Sequence, residues 1–156
     1  METIKCVLIG DSGVGKSALI HTYVKNGFRR GYIPGKLEDG VHETIAKGLN
    51  NKRYILQIQD TEGKSVFDLV RPFDYADANV FLICFSIVSP ASFKNVELKW
   101  IRELIIHCPK IPFILVGTKF DLIHNPGILK NLEKTGQKPI TFEEAAKYGN
   151  ELNAKG

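Results

Sequence analysis

A glycine-rich segment near the start of the chain has the residue types and spacing with the clearest chemistry. Residues 10–17 read GDSGVGKS, which fits the pattern Gly-x-x-x-x-Gly-Lys-Ser/Thr between an apolar segment and a helical one. Small residues let consecutive backbone N–H groups turn toward a chain of phosphates, and the following helix N-terminus adds partial positive charge. Lys16 would reach the β- and γ-phosphates, and the Ser17 hydroxyl would ligate Mg²⁺. The segment predicts a nucleoside phosphate site; the alternative is a glycine-rich turn with a chance Lys-Ser.

Two further polar segments are candidates to complete such a site. Asp60 follows an apolar segment, and a carboxylate at a strand end beside a phosphate loop is a second group directed at Mg²⁺. Residues 118–121 read TKFD. The Asp121 carboxylate can accept two hydrogen bonds from the N1–H and N2–H₂ edge of guanine, a donor pair that adenine lacks. Taken alone, either segment would be interpreted as a polar turn after a strand.

The elements that must position these motifs follow from alternating strand and helix signals. Apolar segments predict strands at 4–9, 41–48, 52–59, 80–85 and 111–116. Helices are predicted at 16–24, from Ser89-Pro90, at 125–134 and from 141 to about 152. The turn at Asn50-Asn51 is so short that its two strands must be antiparallel. This order predicts a three-layer α/β fold, with a mostly parallel sheet between layers of helices.

Two segments outside the motifs also carry predictions. Residues 26–40 lack a regular period and contain five of the glycine and proline residues, so we predict a long functional loop. The helix after Ser89 has apolar residues at helical spacing, which predict a face packed in the core. These residues are Phe93, Val96, Trp100, Leu104 and Ile105.

Length and composition are those of an ordinary globular domain. The chain has 156 residues, 44% of them hydrophobic and 24% charged, with a net charge of +4. Its cationic residues are scattered, which argues against nucleic-acid binding. The three cysteines and four histidines lack disulfide or metal-ligand spacing, so we interpret them as structural residues in a reducing compartment. No apolar segment is long enough to span a membrane and no signal peptide is present, so a cytoplasmic protein is expected.

Over essentially its whole length the chain resembles the Rac/Cdc42-like branch of the Rho family of small GTPases. The resemblance lies in residues 1–20, in residues 80–122 and in the TKFD motif, while residues 125–141 match the helical insert of Rho proteins. It implies a single Ras-like P-loop domain over 1–156, with sheet order 2-3-1-4-5 and strand 2 antiparallel. It also implies GTP and GDP as ligands, Mg²⁺ as cofactor, and signal transduction, in the family cytoskeletal regulation, through Rho-type regulators or effectors.

The resemblance also assigns residues around the nucleotide. Phe28 would stack on the guanine ring, Lys119 would pack along it and Asp121 would recognise its edge. Asp60 would act on Mg²⁺ through water, with Ser17 as the direct ligand. The residues expected to contact the nucleotide are Ser12, Gly13, Val14, Gly15, Lys16, Ser17, Ala18, Phe28, Gly63, Thr118, Lys119 and Asp121.

The departures from the family pattern fall where the γ-phosphate would be sensed and cleaved. Gly35 stands where the family has a Thr that ligates Mg²⁺ and holds the γ-phosphate, and residues 36–40 differ from the usual effector-binding segment. Lys64 replaces the Gln that positions the attacking water, and a lysine side chain has hydrogen-bond donors only. Ser12 replaces a Gly in the path of an activating arginine, and Glu62 replaces an Ala. We therefore expect slow GTP hydrolysis and little response to activating proteins.

Three functions stay open on the sequence alone. They are a cycling Rho-type GTPase, a nucleotide-binding pseudo-GTPase or scaffold, and an unrelated P-loop ATPase or nucleotide kinase. The TKFD motif argues against the third, and the changes at Ser12, Gly35 and Lys64 favour the second for mechanism. Compared with the family, the chain stops at Gly156, before a sixth strand, a closing helix and a lipidated tail. We thus expect an exposed apolar sheet edge at 112–116 and no membrane anchor in this chain.

Overall fold

The chain folds around one mixed β-sheet. The computed structural model describes residues 1–28, 35–36 and 40–156. In these residues the strands are β1 (Thr3–Gly10), β2 (Gly35–Lys36), β3 (Val41–Lys47), β4 (Arg53–Gln59), β5 (Val80–Ser86) and β6 (Phe113–Thr118). They lie in the order β2-β3-β4-β1-β5-β6. Leaving aside the two-residue β2, this is the order that the resemblance implies.

Strand directions confirm the predicted fold class. The central strand β1 pairs in parallel with β4 and β5, and β5 pairs in parallel with β6. Strands β3 and β4 are antiparallel, with Val41 opposite Gln59 and Lys47 opposite Arg53. Their turn contains Asn51 in a left-handed conformation with φ 62°, which asparagine tolerates better than most residues. The result is an α/β fold whose phosphate loop lies at the carboxyl end of the central strand.

Helices cover both faces of the sheet. They are α1 (Lys16–Phe28), α2 (Pro90–Asn95), α3 (Arg102–His107), α4 (Pro126–Lys134) and α5 (Phe142–Glu151), with a π-helical segment at Val96–Ile101 between α2 and α3. The predicted caps are present: Ser89, Asn125 and Thr141 each accept a backbone N–H with their side-chain oxygen at 3.3, 3.1 and 3.1 Å. None of the helices in the described ranges has the length and apolar character needed to cross a membrane.

Two hydrophobic cores lie on opposite faces of the sheet because successive strand residues point to opposite sides. On β1, Val7 and Ile9 face the core under α2 and α3, whereas Cys6 and Leu8 face the core under α1. Trp100 is completely buried in the first core. Ile105, predicted to be buried, is instead 62% exposed. The π-helical turn before it shifts the following residues around the helix axis, which breaks the expected spacing.

The prediction of an uninterrupted loop at 26–40 is wrong at two places. Helix α1 continues to Phe28, because a single glycine at position 27 costs only about 1 kcal/mol in a helix. Gly35 and Lys36 form β2 opposite Glu43 and His42 of β3. The remaining residues of the predicted loop, 29–34 and 37–39, lie outside the described residues.

The sheet edge at β6 is less exposed than expected. The Lys155 amide donates to the Phe113 carbonyl at 2.8 Å, and the Leu115 amide donates to the Gly156 carbonyl at 3.0 Å. The apolar residues 113–116 are half-buried. A cavity of about 740 Å³ lies between this edge and α5, with Leu115, Ile140 and Phe142 in its lining.

Candidate functional site

The phosphate loop, residues 10–17, begins where β1 ends and takes its shape from glycine. Gly10, Gly13 and Gly15 have φ angles of +148°, +81° and +102°, which side-chain-bearing residues rarely adopt. A Cβ atom on Gly10 would lie 2.2 Å from the Cys84 carbonyl oxygen. A larger residue would therefore force β1 and β5 apart at this edge of the sheet. The three glycines explain why the chain turns sharply from strand to helix here.

Lys16 is the buried cation of the site. Lys16 is only 6% exposed, and its Nζ donates to the carbonyls of Gly10 and Asp11 at 2.8 Å each. Burial lowers the pKa of Lys16, and nearby negative groups such as Asp60 offset that effect only in part. Carbonyl dipoles compensate a buried ammonium less well than an anion does. The loop therefore holds a positive charge whose best partner is an anion such as phosphate.

Ser17 and Asp60 meet beside Lys16. The Ser17 hydroxyl donates to Asp60 Oδ2, while Asp60 Oδ1 is buried and receives no hydrogen bond from the described residues. Such an unpaired carboxylate oxygen next to a hydroxyl suits a hard cation. The described residues contain no cluster of three or more His, Cys, Asp or Glu that would hold a metal alone. The two side chains fit Mg²⁺ in its usual protein setting, where phosphates and water supply the other ligands.

The TKFD turn is bonded directly to the phosphate loop. Thr118 Oγ1 donates to the Val14 carbonyl, and Lys119 Nζ donates to the Gly13 carbonyl at 2.8 Å. Lys119 adopts a left-handed conformation with φ 61°, an unfavourable one for a residue with a long side chain. Asp121 is exposed in the short 3₁₀ helix Phe120–Leu122 that follows. The structure thus brings the two sequence motifs together although a hundred residues separate them.

The loop after β4 packs on the phosphate loop. Thr61 Oγ1 donates to the Leu8 carbonyl at 2.6 Å, which anchors the start of the loop on β1. A Cβ atom on Gly63 would lie 2.3 Å from the Gly10 carbonyl oxygen and 2.5 Å from the Ser12 amide nitrogen. Backbone therefore lies against backbone at Gly63, and only glycine permits that approach. The neighbouring Glu62 and Lys64 are exposed.

A buried arginine that no sequence motif pointed to holds this loop in place. Arg71 is 2% exposed; its Nε donates to the Glu62 carbonyl at 2.7 Å and its Nη2 to the Lys64 carbonyl at 3.0 Å. Its Nη1 binds Glu103 of α3 at 2.7 Å, and Glu103 also accepts a hydrogen bond from Tyr75. Residues 64–75 have no periodic pattern that would single out one arginine. The sequence alone therefore did not predict this network.

A second unpredicted contact fixes Asp11 of the phosphate loop. Asn95 Nδ2 donates to Asp11 Oδ2 at 2.7 Å, and Trp100 Nε1 donates to Asp11 Oδ1 at 2.8 Å. The sequence indicated only that Trp100 belongs to the core, which is correct for its ring. Arg71 lies over the same ring, with its guanidinium carbon 4.7 Å from the ring centroid. Trp100 is thus in contact with Asp11 of the phosphate loop and with Arg71, which holds the loop after β4.

The remaining predicted site residues have varied surroundings. Ser12 and Ala18 are exposed, whereas the Val14 side chain belongs to the core under α1, so Val14 would meet a ligand through its backbone. Phe28 ends α1, but its side chain lies outside the described residues, and its stacking on guanine stays a prediction. Gly35 lies in β2, and most of the effector-binding segment after it is also outside the described part of the chain.

A comparison with known protein families agrees with this geometry. A model described as the Ras family matches residues 5–155. The matched range contains the phosphate loop, Asp60 and the TKFD turn, together with all of the sheet except the first two residues of β1. Because the match extends over nearly the whole chain, the protein belongs to the Ras family of small GTPases, which bind GTP and GDP.

Proposed function

We propose that the protein is a Rho-type small GTPase of the Rac/Cdc42-like branch that binds GTP and GDP with Mg²⁺ and hydrolyses GTP slowly. The observation that supports slow hydrolysis is the packing of Gly63 on the backbone of the phosphate loop, because Lys64 is the next residue in the chain. The side chain that would have to hold the attacking water is then one that only donates hydrogen bonds.

The Rho assignment has support from the sequence and from one helix. Residues 1–20 and 80–122 both resemble Rac-like proteins. Helix α4, Pro126–Lys134, agrees with the additional helix that the resemblance implies, and Asn125 caps its start. Work in signal transduction through Rho-type regulators, in the cytoplasm, is part of this proposal.

Nucleotide binding would use groups that are already in place. Lys16 would exchange the carbonyls of Gly10 and Asp11 for phosphate oxygens, and the first amides of α1 would add donors. Ser17 and Asp60 would hold Mg²⁺, which neutralises phosphate charge when bound. The exposed Asp121 carboxylate is free to accept the guanine edge from the turn that Lys119 orients.

Slow hydrolysis follows from the residues around the γ-phosphate. Lys64 can bind a phosphate oxygen as a charge but cannot accept a hydrogen bond from water. The exposed side chain of Ser12 adds bulk where an activating arginine would enter, and such an arginine contributes about 10³–10⁵ in rate. Glu62 adds a carboxylate near the site. The changes at Lys64 and Ser12 oppose turnover, whereas the Glu62 carboxylate would either weaken nucleotide binding through its charge or recruit Mg²⁺.

Nucleotide extraction tests the binding part of the proposal. The chain is purified with Mg²⁺, and the released nucleotide is identified by chromatography; we expect GDP or GTP and no adenine nucleotide. Asp121→Ala should weaken guanine nucleotide binding at least about tenfold, the loss expected for a charge-assisted hydrogen-bond pair. Glu133→Ala on α4 is the matched control and should bind normally. An empty chain that ignores added GTP, or one that prefers ATP, would refute the proposal in favour of a degenerate fold or an ATPase.

Single-turnover hydrolysis tests the second part. Lys64→Gln restores a side chain that both accepts and donates, so we expect it to raise the rate for bound GTP at least about tenfold. Lys147→Gln, an equally exposed lysine on α5, should leave the rate unchanged. Equal rates in the wild type and Lys64→Gln, or a wild-type rate that an activating protein raises strongly, would contradict slow hydrolysis by this cause.

A nucleotide-binding scaffold without cycling is the second candidate, and the Arg71 network favours it. That network holds the carbonyls of Glu62 and Lys64 through Arg71, which is itself anchored on Glu103 of α3. Amide hydrogen exchange of residues 60–75 separates the candidates. Equal protection in the GDP form and in a form with a non-hydrolysable GTP analogue supports the scaffold, whereas a clear difference supports a working switch.

A further inference from the structure

We propose that Asn95 and Trp100 are positioning residues for nucleotide binding, which hold the Asp11 carboxylate on the helix and keep it out of the phosphate site. The inference rests on nucleotide binding by the phosphate loop and goes beyond the proposed function, which gives neither residue a role. It needs no assumption about hydrolysis.

Both oxygens of the Asp11 carboxylate accept hydrogen bonds from one continuous helix, which consists of α2, the π-helical segment and α3. Asn95 donates to one oxygen at 2.7 Å and Trp100 to the other at 2.8 Å. These distances are typical of hydrogen bonds to a charged acceptor. The two donors are neutral, so they orient the negative charge without cancelling it.

The orientation of the Asp11 carboxylate matters because the group carries a negative charge close to the phosphate site. Asp11 is the second residue of the phosphate loop, and its own carbonyl already accepts a hydrogen bond from Lys16. A nucleotide brings several negative charges to this loop, and like charges repel strongly in a partly buried site. A carboxylate released from the helix would therefore compete with the phosphates for Lys16 and would raise the nucleotide dissociation rate.

The π-helical segment explains how one helix supplies both donors. Asn95 and Trp100 are five residues apart, and in a regular α-helix five residues advance by about 500°, leaving the two side chains about 140° apart. The segment Val96–Ile101 is π-helical and lies between α2 and α3. Its i→i+5 spacing brings residues five positions apart onto one face. The helix is wider at the point where it meets the phosphate loop.

Trp100 is also fixed from its other side. The residue is completely buried, and the Arg71 guanidinium and the Lys99 ammonium lie 4.7 and 4.9 Å from its ring centroid. The indole N–H therefore points at Asp11 with little freedom to turn away. A phenylalanine at this position would keep the buried ring but would lose the donor.

The experiment measures dissociation of fluorescent GDP and of a fluorescent non-hydrolysable GTP analogue with Mg²⁺ present. Trp100→Phe and Asn95→Leu should each raise the dissociation rate about tenfold, the factor expected for one hydrogen bond to a charged group. The triphosphate should be affected more than the diphosphate because it carries more charge. Asn95 is only half-buried, so Asn95→Leu keeps the test valid if Trp100→Phe fails to fold.

Charge rescue separates positioning from a structural role. Asp11→Asn combined with Trp100→Phe, or with Asn95→Leu, should return dissociation to near the wild-type rate because the repelling charge is gone. A purely structural role would make the double variants worse than the single ones. Leu104→Ala, at a buried position of α3, should lower thermal stability but leave the dissociation rate unchanged.

Two results would overturn the inference while leaving the proposed function intact. They are unchanged dissociation in both single variants, and fast dissociation that Asp11→Asn fails to rescue. Failure of the wild type to bind guanine nucleotide is a separate outcome, and it would refute the proposed function together with this inference.

Discussion

The buried ammonium of Lys16 is the group that we expect to contribute most to phosphate affinity in the proposed function. Without an anion it is held by two carbonyl dipoles, and burial lowers its pKa. We therefore expect the residue to destabilise the free chain and to be compensated by an anionic ligand, as buried charges at functional sites commonly are. This role could be proposed from the sequence because the motif is local and its chemistry depends on a few neighbouring residues.

Replacement of Lys16 by methionine should change binding and stability in opposite directions. Lys16→Met keeps most of the side-chain volume and removes the charge, so nucleotide affinity should fall at least about tenfold. The free energy of unfolding of the nucleotide-free chain should rise by about 1 kcal/mol, because no ammonium is desolvated. Calorimetric titration and urea unfolding measure the two effects. Loss of stability in the nucleotide-free variant would contradict this account, and Lys147→Met on the surface is the control.

The cysteines differ in a way that a thiol reagent can detect. Burial raises the pKa of Cys6 to about 11 and that of Cys84 to about 12; Cys108 is only half-buried, and burial raises its pKa as well. At pH 8 the native chain should react quickly at one thiol, and at all three in denaturant. Cys108→Ser should abolish the fast reaction, and two fast thiols in the native chain would contradict the packing.

The same burial predicts how stability depends on alkaline pH. Unfolded thiols have an ordinary pKa of 9.0, so above pH 9 the unfolded chain loses protons that folded Cys6 and Cys84 retain. The thiols therefore make the free energy of unfolding fall as pH rises from 9 toward 12.

At the scale of elements, features that depend on neighbouring residues could be predicted from the sequence, whereas contacts between distant residues could not. Strands β1 and β5 read as apolar segments because both of their faces are buried, and the caps at Ser89, Asn125 and Thr141 involve neighbouring residues only. The contacts from Asp11 to Asn95 and Trp100 join residues 84 and 89 positions apart. The π-helical turn likewise has no local sequence pattern, so the exposure of Ile105 could not be predicted. The ordering of the loop at residues 62–64 could not be predicted either.

The arginine network should be the most sensitive point among these elements. Arg71→Leu leaves Glu103 without its cation and removes donors from two loop carbonyls, so we expect a loss of about 3–5 kcal/mol in unfolding free energy. Amide exchange at residues 62–68 should accelerate. Adding Glu103→Leu should recover part of the stability because the unpaired carboxylate is removed. Arg102→Leu, exposed on α3, is the control, and a similar loss there would contradict the assignment.

At the scale of the whole molecule, the nucleotide would join both halves of the sheet. The phosphate loop follows the central strand, Asp60 follows β4, and the TKFD turn follows β6. The alternation of elements predicted a mostly parallel sheet, and the family resemblance implied the strand order that brings these ends to one edge. The pairing of Lys155 and Gly156 with β6 was not predicted, because it depends on how α5 directs the chain back to the sheet.

Guanine nucleotide should therefore stabilise the entire fold. At a concentration of about 100 times Kd, a ligand adds about 2.7 kcal/mol to the folded state. In a chain of this size each kcal/mol raises Tm by about 2–4 °C, so GDP with Mg²⁺ should raise Tm by roughly 5–10 °C. Differential scanning fluorimetry with GDP, a GTP analogue and ATP measures the effect. An equal rise with ATP, or none with GDP, would contradict guanine specificity.

The hydrogen bonds from Thr118 and Lys119 to the carbonyls of Val14 and Gly13 have one more consequence. In the proposed function they would set the separation between base and phosphate recognition inside the protein, before any ligand arrives. A nucleotide whose sugar is lengthened or shortened by a single bond would then not occupy both ends at once, however well each end matches. Selection would act on the span of the ligand as much as on its chemical groups.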